Sequence, residues 1–196
     1  MVLITAFEAF GGDRLNPARE AALQLSLPGV MPLILPVEYE TAARMAVDAI
    51  EKYRPEAVID LGQAGGRTGI TPEKFAVNLR NARSADNTGR VCENEPIVPG
   101  GPDRIESRFG AEDIVSALRE AGLPAYVSEG AGTYVCNDVM YSVLYHLRNT
   151  SVRAGFIHLP FCAEQADAHP GAFTMELGEM VRGLEIAVAT VIGRTL

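Results

Sequence analysis

Apolar and polar positions alternate along the chain between two periods, short runs that fit strands and longer stripes at helical spacing. Residues 2–6 form an apolar run that reads as a strand. Asn16 followed by Pro17 is an N-cap with proline at the first helical position, which predicts a helix to about Leu25. Residues 33–37 read as a second strand. Ala42, Ala43, Ala46, Val47, Ile50 and Tyr53 then share one helical face, Pro55 ends that helix, and residues 57–61 form a buried strand. Ile114, Val115 and Leu118 mark another helix, with Glu112 and Asp113 in its first turn and Gly122 just past its end. Residues 125–128 fit a short buried strand, and Val139, Met140, Val143, Leu144 and Leu147 the helix after it. Residues 154–159 are an apolar core strand closed by Pro160. A last stripe of Phe173, Leu177, Met180, Val181, Leu184, Val188 and Val191 predicts the longest helix, its methionines belonging to the core.

Strands alternating with helices predict a single-domain α/β/α sandwich over residues 1–196, with a largely parallel central sheet. Antiparallel pairing is expected only at an edge, because residues 73–78 lead into no crossover helix. Residues 81–103, rich in Asn, Asp, Gly and Pro, read as a long loop over the site.

One cysteine stands out on this scaffold. Cys136 lies where the small residues Gly130, Ala131 and Gly132 turn a strand into a helix, so it sits in or beside the first helical turn. Unpaired N–H groups and the positive dipole end there favour a thiolate, which is the nucleophilic form. His158, near the carboxyl end of a core strand, borders the crevice where open α/β sheets bind ligands and is the candidate base. Of the other two histidines, His146 reads as surface, and His169 as a loop residue able to approach the same crevice. Glu73 opens a segment in which Phe75 and Val77 alternate with Lys74 and Ala76, as in a half-buried strand entering that crevice. Its carboxylate there would orient the imidazole. The preceding Gly62-Gln63-Ala64-Gly65-Gly66-Arg67-Thr68-Gly69 loop suggests a phosphate cradle. It lacks a Gly-Lys-Ser/Thr ending, however, and misses the dinucleotide spacing.

Composition narrows the classes. With 47% hydrophobic and 21% charged residues the chain is ordinary globular material, and its net charge of −8 disfavours a nucleic-acid partner. Three cysteines with no close pairing point to a reducing cytoplasm, with Cys92 and Cys162 as spectators. The opening MVLITAF has no basic n-region, and no apolar stretch approaches a membrane span.

Five motifs in order resemble the pyroglutamyl peptidase I family of cysteine peptidases. They are Phe7-Glu8-Ala9-Phe10-Gly11-Gly12 with Asn16-Pro17; the Gly-rich loop ending in Thr71-Pro72-Glu73-Lys74; Asn81-Ala82-Arg83 with Asp86-Asn87; Ala131 through Asn137 around the cysteine; and Gly155 through Pro160 around the histidine. The resemblance implies a cofactor-free and metal-free exopeptidase that removes an N-terminal pyroglutamyl residue from peptides through an acyl-enzyme. Cys136 would be the nucleophile, His158 the general acid/base and Glu73 the orienting carboxylate. Phe7 and Phe10 would face the lactam ring, Asn16 and Gln63 would line the site, Tyr134 and Val135 would form apolar wall, and Arg83 would lie close to the nucleophile. A homo-oligomer, a tetramer, is implied as well. Where the family usually has Ile-Pro after Asn-Ala-Arg, this chain has Ser84-Ala85, which removes an expected apolar contact to the ring. Two alternatives use the same residues differently: a phosphorylase-like transferase working through the Gly-rich loop, and a non-catalytic pyroglutamyl-binding relic.

Overall fold

The computed structural model describes residues 1–193. The elements in chain order are β1 (Val2–Phe7), α1 (Pro17–Gln24), β2 (Val30–Leu35), α2 (Thr41–Tyr53), β3 (Ala57–Gln63), β4 (Thr71–Glu73), β5 (Phe75–Val77) and β6 (Arg104–Glu106). They continue with α3 (Ala111–Glu120), α4 (Val135–Leu147), β7 (Arg153–Leu159), β8 (Phe161–Cys162), β9 (Thr174–Met175) and α5 (Leu177–Ile192). The central sheet has the order β2-β1-β3-β7-β4. Its first four strands are parallel, and β4 runs antiparallel to β7 at the edge.

Strand alternation sorts the core into two layers. Val2, Ile4, Ala6, Ile59, Leu61, Ile157 and Leu159 pack under α1, α3 and α5, while Leu3, Phe7, Val58, Ala154 and Phe156 pack under α2 and α4. This is the expected three-layer α/β/α arrangement. Fully buried side chains such as Phe156, Leu144 and Ile59 each contribute roughly 1.5–3 kcal/mol of transfer free energy. The Asn16 side chain accepts from Ala18 N–H at 3.0 Å, so the predicted cap starts α1 as read.

Four expectations are corrected. The second strand is Val30–Leu35, not residues 33–37, and it contains Pro32; β2 is the sheet edge, where a missing N–H is tolerated. Residues 125–128 form no strand, touching β4 and Ile70 only through isolated bridges at Ala125 and Ser128. Glu73 closes β4 in the central sheet, whereas Phe75 and Val77 belong to β5, which pairs with β6 in a separate two-stranded sheet. Phe173 lies outside α5, which begins at Leu177 after Thr174 and Met175 have paired with β8.

Candidate active site

Sheet register brings the site together. Gly62 of β3 is paired with His158 of β7, and Thr71 of β4 is paired with His158 from the other side. Since Phe156 faces α2 and α4, its second neighbour His158 faces the same way, as do Gly62, beside Val58 and Asp60, and Glu73 at the end of β4. Helix α4 crosses this face with Cys136 in its first turn. A Cβ placed on Gly62 would lie 3.0 Å from Cys136 Sγ and 2.9 Å from the Phe156 ring, so glycine there makes room for the thiol beside the strand that carries His158.

His158 Nδ1 and Glu73 Oε1 are 2.7 Å apart, and Arg67 Nη2 donates to the same oxygen at 2.9 Å. A carboxylate only accepts, so Nδ1 is the donor in this contact, and Nε2 is the ring nitrogen not engaged by Glu73. Glu73 is fully buried and His158 nearly so. Burial first, then the Glu73 and Asp60 carboxylates, push the Cys136 thiol up to about 12, with its own helix-start N–H pulling the other way. The expectation that the helix start favours a thiolate meets an opposing effect here: burial outweighs the backbone N–H.

The predicted wall residues fall in two groups. Phe10 and Tyr134 are half-buried with ring centroids 6.3 Å apart, and Tyr39 meets Tyr134 edge-on at 5.6 Å. Phe7 is buried and stacked against Phe156 at 6.5 Å, and Val135 is fully buried in the α2/α4 layer. Asn16 is fully buried, with its amide donating to Glu8 O and its oxygen capping α1. Gln63 donates to Asp13 and accepts from Gln165. Arg83 is exposed and has no hydrogen-bond or ion-pair partner among the described residues. The segment that carries it is held over the start of α4 and the end of β1: Asn81 N–H donates to Thr133 O, Tyr134 Oη to Ala85 O, and Asn87 Nδ2 to Ala9 O.

A family described as pyroglutamyl peptidase matches residues 1–194. The chain belongs to the pyroglutamyl peptidase family. It is 44% identical over 193 residues to the pyrrolidone-carboxylate peptidase of Erwinia tasmaniensis, covering 96% of this chain and 91% of that one. The Chromobacterium violaceum protein of the same name is 46% identical over 192 residues, covering 95% and 90%. Among solved structures, pyroglutamyl peptidase I from Bacillus amyloliquefaciens superposes with a TM-score of 0.93 at 36% identity, covering 97% of this chain and 93% of that chain. A pyrrolidone carboxyl peptidase variant (A199P) from Pyrococcus furiosus does so with 0.93 at 33%, covering 100% and 99%.

Several polar side chains of this family member were not singled out by sequence reasoning. Arg67, within the Gly-rich loop, is the cation beside Glu73. Asp60 is buried under the crevice, takes a 2.6 Å bond from Thr5 Oγ1, and leaves Oδ2 without a partner; burial raises it to about 7. Arg80 grips Asp138 at 2.8 Å while Asn137 pairs with the backbone of Val77 and Leu79, so the two residues after Cys136 anchor the start of α4. Only three-dimensional pairing reveals these partners. Among the described residues no helix is long and apolar enough to cross a membrane, and no cluster of three or more His, Cys, Asp or Glu is placed to hold a metal ion.

Proposed function

We propose that the chain, acting as one domain, is a cysteine exopeptidase that hydrolyses the bond after an N-terminal pyroglutamyl residue, with Cys136, His158 and Glu73 as its catalytic group. The observation that carries the residue assignment is the 2.7 Å contact of Glu73 with His158 Nδ1, on the face where Cys136 Sγ rests against Gly62. His158 Nε2 takes the thiol proton as Sγ attacks the pyroglutamyl carbonyl. Glu73 stabilises the imidazolium that forms. The unpaired N–H groups of the first turn of α4 face the developing oxyanion. Collapse breaks the C–N bond, the leaving amine takes the proton from His158, and a water then releases pyroglutamate from the thioester.

Burial pushes the thiol of the free protein up, so in this reading Sγ attacks as His158 takes its proton. Phe7, Phe10, Tyr134 and Val135 supply the apolar surroundings of a flat lactam ring, with Asn16 and Gln63 as its polar neighbours, and Arg83 adds a cation on the overlying segment. Arg67 is committed to Glu73, so the phosphate reading of the Gly-rich loop loses that loop's own cation. Three free cysteines fit a reducing, cytoplasmic setting, a homo-oligomer is what the family resemblance implies, and no cofactor enters the mechanism.

Release of a chromophore from a pyroglutamyl amide, run beside the prolyl and glutamyl analogues, tests the reading. Turnover of the pyroglutamyl amide alone is expected. Similar rates on all three would remove the proposed specificity.

A further inference from the structure

A carboxyl group without an ion-pair partner lies in the sheet beneath the candidate nucleophile. Asp60 of β3 is paired with Thr5 of β1 and with Phe156 of β7, and the next row on that face holds Gly62 and His158. Asp60 and Gly62 are two residues apart, roughly 6.6 Å along one strand. Gly62 is the residue against which Cys136 Sγ rests. Asp60 therefore sits one row behind the thiol, on the same side of the sheet.

Its surroundings offer little to a charge. Asp60 is fully buried, its Oδ1 accepts from Thr5 Oγ1 at 2.6 Å, and its Oδ2 has no partner. The titratable groups of the crevice on this face are Cys136 from α4, His158 from β7 and Glu73 from β4, and the Glu73 carboxylate is already matched by His158 and Arg67. Helix α2 buries only Ala42, Ala43, Ala46, Ala49 and Ile50 over this layer, and Asp138 of α4 is taken up by Arg80. Tyr39, Cys92, Tyr134, Tyr141 and Tyr145 are the remaining titratable side chains of the layer, and none of them supplies a positive charge. No lysine or arginine among the described residues forms an ion pair with Asp60.

A buried carboxyl group with one hydroxyl donor and no cation favours its neutral form. Burial raises Asp60 to about 7, with the Thr5 bond pulling the other way. Because Oδ1 accepts from Thr5, the proton of the neutral acid belongs on Oδ2. Negative charge develops directly above it as Sγ gives up its proton. Burial and then Glu73 hold the Cys136 thiol up, and a charge on Asp60 adds to them. A neutral acid beneath Sγ leaves that step unopposed, whereas a carboxylate works against it.

We infer that Asp60 is a positioning residue acting through Cys136: as a neutral acid it keeps the sheet beneath the thiol uncharged, and its ionisation sets the alkaline limit of turnover. This rests on the functional reading above, in which Cys136 is the nucleophile.

The test measures kcat/KM for one pyroglutamyl amide between about pH 5 and about pH 10 in wild type, Asp60→Asn and Thr5→Val. Each profile is read against its own maximum, so a general loss of activity does not enter. Wild type should fall about tenfold to a lower plateau on the alkaline side. Asparagine keeps an acceptor for Thr5 and cannot ionise, so the Asp60→Asn profile should lack the fall. Thr5→Val removes the donor that favours the carboxylate, and should move the fall up by about one pH unit. A carboxyl group with a purely structural role would change the melting temperature and leave the normalised profiles superimposable. Superimposable profiles overturn the inference, as does an alkaline fall that persists in Asp60→Asn or is missing from wild type. Thr5→Val decides alone if Asp60→Asn does not fold. A wild type inactive on the pyroglutamyl amide overturns the functional reading and this inference together; an active wild type whose profile the variants reproduce overturns only the latter.

Discussion

Glu73 and His158 lie on one face of the antiparallel β4–β7 pair, one step apart on the diagonal of its register, so their 2.7 Å contact is set by strand pairing rather than by a loop. A buried carboxylate placed that way keeps a proton on Nδ1 of the imidazole, the role proposed for it in the reaction.

Glu73→Gln should therefore lower kcat by about 10² to 10⁴ while leaving the fold intact, because an amide neither stabilises imidazolium nor enforces the proton on Nδ1. Arg67→Met, which removes only the cation beside Glu73, should cost about tenfold in kcat. Steady-state kinetics on one pyroglutamyl amide measures both. A Glu73→Gln protein at wild-type rate places this carboxylate outside the reaction.

Cys136→Ser should abolish nearly all turnover, since a hydroxyl is not activated in the same geometry. Alkylation followed by mass mapping should label Cys136 ahead of Cys92 and Cys162, both of which are buried. With the Cys136 thiol pushed up to about 12, labelling of the free protein should keep climbing as pH rises well beyond neutrality. A rate already level from mildly acidic pH upward would instead reveal a resting thiolate–imidazolium pair.

Asp60 titrates in the opposite sense to a salt-bridged carboxylate. Its folded-state value of about 7 lies above the ordinary 3.8, so the folded chain binds more protons than the unfolded chain between those values. Stability contributed by the protonated acid is present at low pH and is lost as pH rises through that window, by at most about 4 kcal/mol. In Asp60→Asn, which keeps an acceptor for Thr5, the melting temperature should lose this part of its pH dependence. The same variant should alkylate faster at Cys136 above neutral pH, where the wild type carries a charge beneath the thiol. Identical melting–pH curves for the two proteins would falsify the assignment.

Gly62→Ala should damage activity more than stability. The added methyl would meet Cys136 Sγ at 3.0 Å and the Phe156 ring at 2.9 Å, and overpacking of this kind costs about 1–3 kcal/mol. The Phe156 ring has core on all sides, whereas the Cys136 side chain is less completely buried and is the freer of the two to move. A fall in kcat of about 10² with a folded circular-dichroism spectrum is expected. Full activity in the folded variant would show that the thiol has slack.

The periodic parts of the chain were legible because one rule governed them. Asn16 and Pro17 announce α1, Pro55 closes α2, and the alternation through Phe156, Ile157 and His158 puts the histidine on the α4 face. Short, paired pieces were not legible. Thr71, Pro72 and Glu73 have too few residues to show a period, and only pairing with β7 makes them a strand. Phe173 continued the stripe of α5 by coincidence of spacing while β9 intervened. Among the candidate site residues, Cys136, His158 and Glu73 were visible through their chemistry and motifs, whereas Arg67 and Asp60 are defined by partners distant in sequence or by the lack of them.

The alternation along β7 also makes this enzyme a reporter on its own assembly. A slip of one residue in the pairing of β7 would exchange Leu159 for His158 on the α4 face and turn the imidazole into the opposite apolar layer. Such a chain would keep much of its secondary structure and its compactness yet would be catalytically silent. In a refolding experiment on the proposed mechanism, the fraction of molecules whose Cys136 acylates in a single turnover therefore counts correctly threaded sheets, a quantity that neither circular dichroism nor light scattering resolves.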